Sequence, residues 1–96
     1  MLEKDVEKYF RHKLTDQSCL VFKFVSPGNV GVPDRVVVSK TGKVYFVELK
    51  RPGGKIRKLQ NMCIQKLRNH NVWAGVLSTR SEVDDFCKLV IKNDRS

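Results

Sequence analysis

The sequence predicts an α/β fold: a central mixed sheet flanked by helices on both faces, in the order αβββαβ with an extra C-terminal helix. Three observations carry this. Apolar residues recur at helical spacing in three segments, and four other segments read as short strands. The second and third strands are separated by a tight turn, which makes them a hairpin. The third strand is apolar on both sides, with Val44 and Phe46 on one and Tyr45, Val47 and Leu49 on the other. A strand of that kind is buried front and back, so helices should cover both faces of the sheet.

The elements follow in order. Leu2, Val6, Phe10 and Leu14 recur every four residues, with Tyr9 alongside, and predict an amphipathic helix over 2–14. Residues 20–25 are rich in β-formers and read as the first strand. Ser26-Pro27-Gly28-Asn29 signals a loop that runs on to Pro33. Residues 34–39 form the second strand, Lys40-Thr41-Gly42-Lys43 the turn, and 44–50 the third strand. Arg51-Pro52-Gly53-Gly54 ends it sharply. From Lys55 to about Asn71, Ile56, Leu59, Cys63 and Leu67 fall at helical spacing, and this stripe is expected to face the core. Residues 72–77 are nearly all apolar, as in a buried strand. Ser78 or Thr79 then caps a last helix to about Lys92, with Val83, Phe86, Leu89 and Val90 inward. The whole of 1–96 reads as one domain.

Composition narrows the partner. The 96 residues hold 19 Lys+Arg against 10 Asp+Glu, a formal charge of +9. A surplus of that size suits a polyanion, nucleic acid first. A lipid surface is disfavoured because the apolar helix faces are needed for the core. No stretch approaches the roughly 20 apolar residues of a membrane span. The charged N-terminus lacks a secretion signal, so a cytoplasmic location is expected. Cys19, Cys63 and Cys87 are odd in number, widely spaced and set among apolar residues, which reads as reduced core thiols. His12 and His70 stand alone and read as surface residues.

The chemistry lies in Gly31-Val32-Pro33-Asp34 and Val47-Glu48-Leu49-Lys50. Glu48 and Lys50 are two apart, so they project from one face of the third strand. Asp34 opens the second strand, which a hairpin lays antiparallel beside the third, and this brings Asp34 next to Glu48 and Lys50. Two carboxylates crowded beside an apolar strand repel and resist desolvation unless a cation joins them. Oxygen ligands suit Mg²⁺ or Mn²⁺ better than zinc. The plainer alternative makes Asp34 a turn residue and pairs Glu48 with Lys50 or Arg35. Gln60 sits on or beside the inward side of its helix, either as a satisfied core amide or facing a cleft. Glu3 and Glu7 lie at the edge of the first helix's inward face and read equally as solvated acids favoured by the helix dipole. Lys50, Arg51, Lys55, Arg57 and Lys58 follow the third strand and open the next helix, with Lys23 and Arg35 flanking the cleft. These are the candidate phosphate contacts. No aromatic platform for unpaired bases is evident; Trp73 reads as core or interface.

These stretches resemble the PD-(D/E)xK nuclease superfamily, and within it the virus-type replication-repair nuclease (VRR-NUC) family. The resemblance rests on Glu3-x-x-Val6, Gly31-Val32-Pro33-Asp34, Phe46-Val47-Glu48-Leu49-Lys50-Arg51-Pro52 and Leu59-Gln60, and spans Glu3 to about Phe86. It implies a restriction-endonuclease-like core and a Mg²⁺ or Mn²⁺ ion held by Asp34, Glu48 and the Leu49 carbonyl. Glu3, in preference to Glu7, would complete the site from the first helix. Lys50 would be the catalytic lysine and Gln60 the helix glutamine at the cleft.

For the function, the resemblance implies a metal-dependent endonuclease acting on branched or duplex DNA. Small stand-alone viral and bacterial members act as homodimers that cut four-way (Holliday) junctions. Larger members sit inside multi-domain DNA-repair proteins and act on flaps. Junction cleavage by a homodimer is therefore the expectation here, with a flap or general nuclease as one alternative. A non-catalytic basic DNA-binding module is another. The last helix and the surroundings of Trp73 are the candidate dimer surfaces.

Overall fold

A computed structural model describes residues 2–96. Its elements are α1 (Glu3–Asp16), β1 (Leu20–Lys23), β2 (Arg35–Val38), β3 (Val44–Leu49), α2 (Lys58–Asn69), β4 (Trp73–Leu77) and α3 (Arg80–Asp94). They form one four-stranded sheet in the order β1-β2-β3-β4. β1–β2 and β2–β3 pair antiparallel, and β3–β4 pair parallel through the α2 crossover. The sheet is mixed, as expected. Every predicted element is present, with ends shifted by up to three residues. The largest shift is at α2, which starts at Lys58, because residues 51–57 form turns and extended chain after Pro52.

Strand alternation sorts the side chains. Val37, Tyr45, Val47 and Leu49 point to one face and are buried there under α1 and α3. Val6, Phe10 and Leu14 come down from α1, and Val83, Phe86, Cys87 and Val90 from α3. Phe86 is the centre of an aromatic cluster, 4.8 Å from Trp73, 5.4 Å from Tyr45 and 6.1 Å from Phe10 between ring centroids. Gly75 makes room for this arrangement, since a Cβ there would sit 2.8 Å from the Trp73 ring. Trp73 therefore belongs mainly to the core. Helix α3 starts as predicted: Thr79 Oγ1 accepts from the Glu82 N–H at 3.1 Å, and Glu82 accepts back from Thr79 at 3.2 Å.

The opposite face is less covered than the sequence led us to expect. Helix α2 lies over β4, and Arg68 Nε donates to the Ala74 carbonyl at 2.8 Å. Among the described residues no helix covers β1 on this side. Leu20 and Phe22 are 57% and 53% exposed, and Val44 is exposed as well. On α2 only Ile64 is buried, while Leu59 and Met62 are 51% and 45% exposed. The predicted stripe of Ile56, Leu59, Cys63 and Leu67 therefore does not face the core. Successive positions on a helix turn by about 100°, so with Ile64 down against the sheet this stripe falls on a flank. Arg68 reaches the carbonyl of an edge strand, which places it on the outer flank, so the stripe faces inward along the open sheet. Cys19 and Cys87 are buried and Cys63 is half-buried; all three are free thiols. No helix among the described residues is long and apolar enough to cross a membrane.

Candidate metal centre and active site

The hairpin register fixes the site. Arg35 pairs with Val47, so the next step outward sets Asp34 opposite Glu48. The backbone of Asp34 is held from the other side too, its carbonyl accepting from the Phe24 N–H at 2.7 Å. Both carboxylates lie on the α2 side of the sheet. They line a cavity of about 230 Å³ whose other walls include Gly31, Arg57, Leu59 and Gln60. Larger hollows exist elsewhere, and two of them are also lined by two acids, Glu82 with Asp85 and Asp16 with Asp94; this one is set apart by the strand register that places Asp34 opposite Glu48.

Gly31 explains how the loop reaches this position. Its φ is +92°, a region that side-chain-bearing residues rarely adopt. A Cβ at this position would stand 2.5 Å from the Leu59 carbonyl oxygen and 2.9 Å from the Gln60 nitrogen. The loop thus lies directly on the first turn of α2. Pro33 behind it is buried and delivers Asp34 to the start of β2.

Glu48 carries the electrostatic signature. It is buried, and its carboxyl is pushed up to about 7. Burial is the main cause and the Asp34 charge the next; Lys50 and the Asp34 backbone N–H partly offset them, and Glu3 adds a smaller repulsion. Lys50 Nζ stands 3.9 Å from Glu48 Oε2. Asp34 Oδ2 accepts from Arg35 Nη1 at 2.9 Å, whereas its Oδ1 is buried without a hydrogen-bond partner. Unsatisfied buried oxygens are costly. An orphaned carboxylate oxygen, beside a second acid that resists ionisation, is a donor set that fits a hard divalent cation. Among the described residues no three His, Cys, Asp or Glu side chains come together to hold a metal ion, so the side-chain donors here are the two carboxylates alone. The fit is that of an open site completed by water or substrate.

The remaining candidates divide. Glu3 is exposed in the first turn of α1 and reaches Glu48 through charge alone. Leu49 has its side chain in the core. Gln60 lines the cavity, and its Oε1 accepts from the Arg57 N–H at 2.8 Å, so it also caps α2. Lys23, Arg51, Lys55, Arg57 and Lys58 are exposed, as phosphate contacts require. Arg35 is a correction. It is 7% exposed and engaged by Asp34 and Glu7, so it does not present its guanidinium to DNA. It sits at an odd position of β2, on the α1 side, and that parity was available in the sequence.

The VRR-NUC domain model matches residues 3–81. A solved structure described as a VRR_NUC domain superposes with a TM-score of 0.83 at 26% identity, covering 90% of this chain and 94% of that one. The chain belongs to the VRR-NUC family. It is also similar to “Putative nuclease p44” of Acyrthosiphon pisum secondary endosymbiont phage 1, 45% identical over 53 residues. That match takes in 55% of this chain and 57% of the phage protein, a little over half the length of each.

Proposed function

We propose that this protein is a Mg²⁺- or Mn²⁺-dependent DNA endonuclease. The observation that supports this best is Asp34 beside Glu48: an orphaned buried oxygen next to a carboxyl pushed up to about 7. Asp34 and Glu48 would hold the cation, with the Leu49 carbonyl and Glu3 as further ligands. When bound, the cation supplies positive charge to the scissile phosphate and acidifies the attacking water. Lys50 orients that water or stabilises charge on phosphorus. Gln60 and Arg57 line the same cavity, and the exposed Arg51, Lys55 and Lys58 of the same segment would grip the DNA backbone; Lys23 pairs with Arg35 and so starts from the α1 side of the sheet.

The preferred substrate in this reading is a four-way junction, cut by a homodimer. Support for a dimer comes from the open face. Leu20, Phe22, Val44 and Met62 are about half exposed, and exposed apolar side chains gathered on one face mark an interaction surface. Among the described residues no helix covers β1 on this side, and Met62 of α2 is exposed. A second copy related by a two-fold axis would cover both at once. A stable interface needs roughly 800 Å² per partner, which this face would have to supply together with a polar rim. Two sites would then face a two-fold substrate.

Cleavage assays test the reading. Wild type with Mn²⁺ should cut four-way junctions faster than flaps or plain duplex. Asp34→Ala and Glu48→Ala should bind DNA and cut none. Cutting at wild-type rate by either variant overturns the proposal, and equal rates on all substrates remove the junction preference.

A further inference from the structure

Arg35 is the most deeply buried cation among the described residues, and its bonds connect α1 to the site. Its Nη1 donates to Asp34 Oδ2 at 2.9 Å and to the Asp34 carbonyl at 3.2 Å. Its Nη2 pairs with Glu7 Oε2, and Glu7 is itself held by Arg11 at 3.2 Å. The guanidinium fork therefore occupies one oxygen of Asp34, and Oδ1 is left buried and unpartnered. A planar, five-donor cation can hold two carboxylates and a carbonyl at once in fixed geometry; an ammonium on a flexible stem cannot.

We propose that Arg35, anchored by Glu7, is a positioning residue that fixes the Asp34 carboxylate so that Oδ1 alone is presented to the divalent cation. The inference rests on the metal-dependent reading above. It assigns Glu7 a role distinct from that of Glu3: Glu7 tethers the arginine, and Glu3 acts on Glu48 through its charge.

Charge and geometry oppose one another here. Arg35 repels a nearby cation, so deleting its charge would by itself strengthen metal binding, whereas freeing Asp34 would weaken it. Arg35→Lys keeps the charge and loses the fork, which isolates geometry. The readouts are Mn²⁺ affinity by calorimetry, with no DNA present, and then kcat and KM on a four-way junction. Loss of an outer partner of a metal ligand weakens metal binding about 10–100-fold. Arg35→Lys is expected to fall in that range and to lower kcat at sub-saturating Mn²⁺, with KM for DNA within about twofold. Should Arg35→Lys fail to fold, Glu7→Gln decides. It retains an acceptor for Nη2, loses the charge, and is expected to weaken Mn²⁺ binding several-fold in the same direction.

Unchanged Mn²⁺ affinity in a folded Arg35→Lys, or in Glu7→Gln where the first does not fold, overturns the proposal while leaving the nuclease reading intact. A raised KM for DNA with unchanged Mn²⁺ affinity does so too, by making Arg35 a phosphate contact. Wild-type protein that binds no Mn²⁺ overturns both.

Discussion

Gly31 lies against the backbone of Leu59 so closely that a single added methyl group would stand 2.5 Å from the Leu59 carbonyl oxygen. This contact joins the loop carrying Asp34 to the helix carrying Gln60, and so closes the cavity. Gly31→Ala meets two penalties, the contact itself and a φ of +92°. Strain of this kind costs about 1–3 kcal/mol. A thermal melt should show a fall of several degrees, about 4–8 °C per kcal/mol for a domain this small. Gly28→Ala has equally positive φ but open space, and should cost less. Equal losses would show that the close approach to α2 contributes nothing.

Glu48 predicts an unusual pH dependence. Its folded-state carboxyl is raised to about 7 from 4.5, so the folded form holds a proton that the unfolded form has lost. The destabilising effect of ionising it is absent at low pH and grows as pH rises from about 4.5 through about 7. Glu48→Gln removes it. In metal-free buffer, the variant should gain on wild type over that window, by on the order of 3 kcal/mol above pH 7. Denaturant melts at pH 5 and pH 8 check this; a pH-independent difference contradicts it.

The same proton must leave before a cation binds. Mn²⁺ affinity should therefore rise about tenfold per pH unit below 7 and flatten above it. Calorimetry at pH 6, 7 and 8 gives the slope directly. A flat profile would mean that Glu48 is not a ligand.

Lys50 is 3.9 Å from Glu48 and partly buried, in reach of whatever the pair holds. Lys50→Gln should cut single-turnover cleavage by about 100-fold, the cost of losing one charge-stabilising group. Mn²⁺ binding should persist. Loss of metal binding in place of turnover would assign the lysine to structure.

The open face predicts the assembly. Phe22→Glu or Leu20→Glu, both outside the cavity, should shift a dimer to monomer in sedimentation, because a buried unpaired charge costs several kcal/mol. Junction cutting should fall with it. A wild-type monomer at tens of micromolar would contradict the two-fold reading.

What the sequence revealed follows from what kind of signal it carries. The convergence of Asp34 and Glu48 was legible because a tight turn fixes hairpin register, and register fixes which side chains meet. The αβββαβα order was legible from helical spacing, β-former content and the Pro/Gly turn signals together. The phase of α2 was not. Leu59, Cys63 and Leu67 have the right spacing, but spacing does not say whether a stripe meets its own sheet or an open groove. Arg35 has the charge of a phosphate contact, but its strand parity turns it to the α1 side, where it is buried. The Gly31 contact left no signal beyond a glycine, since the atom it avoids lies 28 residues further along the chain.

The most direct test of the account is a crystal grown with Mn²⁺ and measured at the manganese edge. An anomalous peak is expected roughly 2.1 Å from Asp34 Oδ1 and from a Glu48 oxygen, within octahedral oxygen coordination. No peak at that place, or the two side chains turned apart, would contradict it.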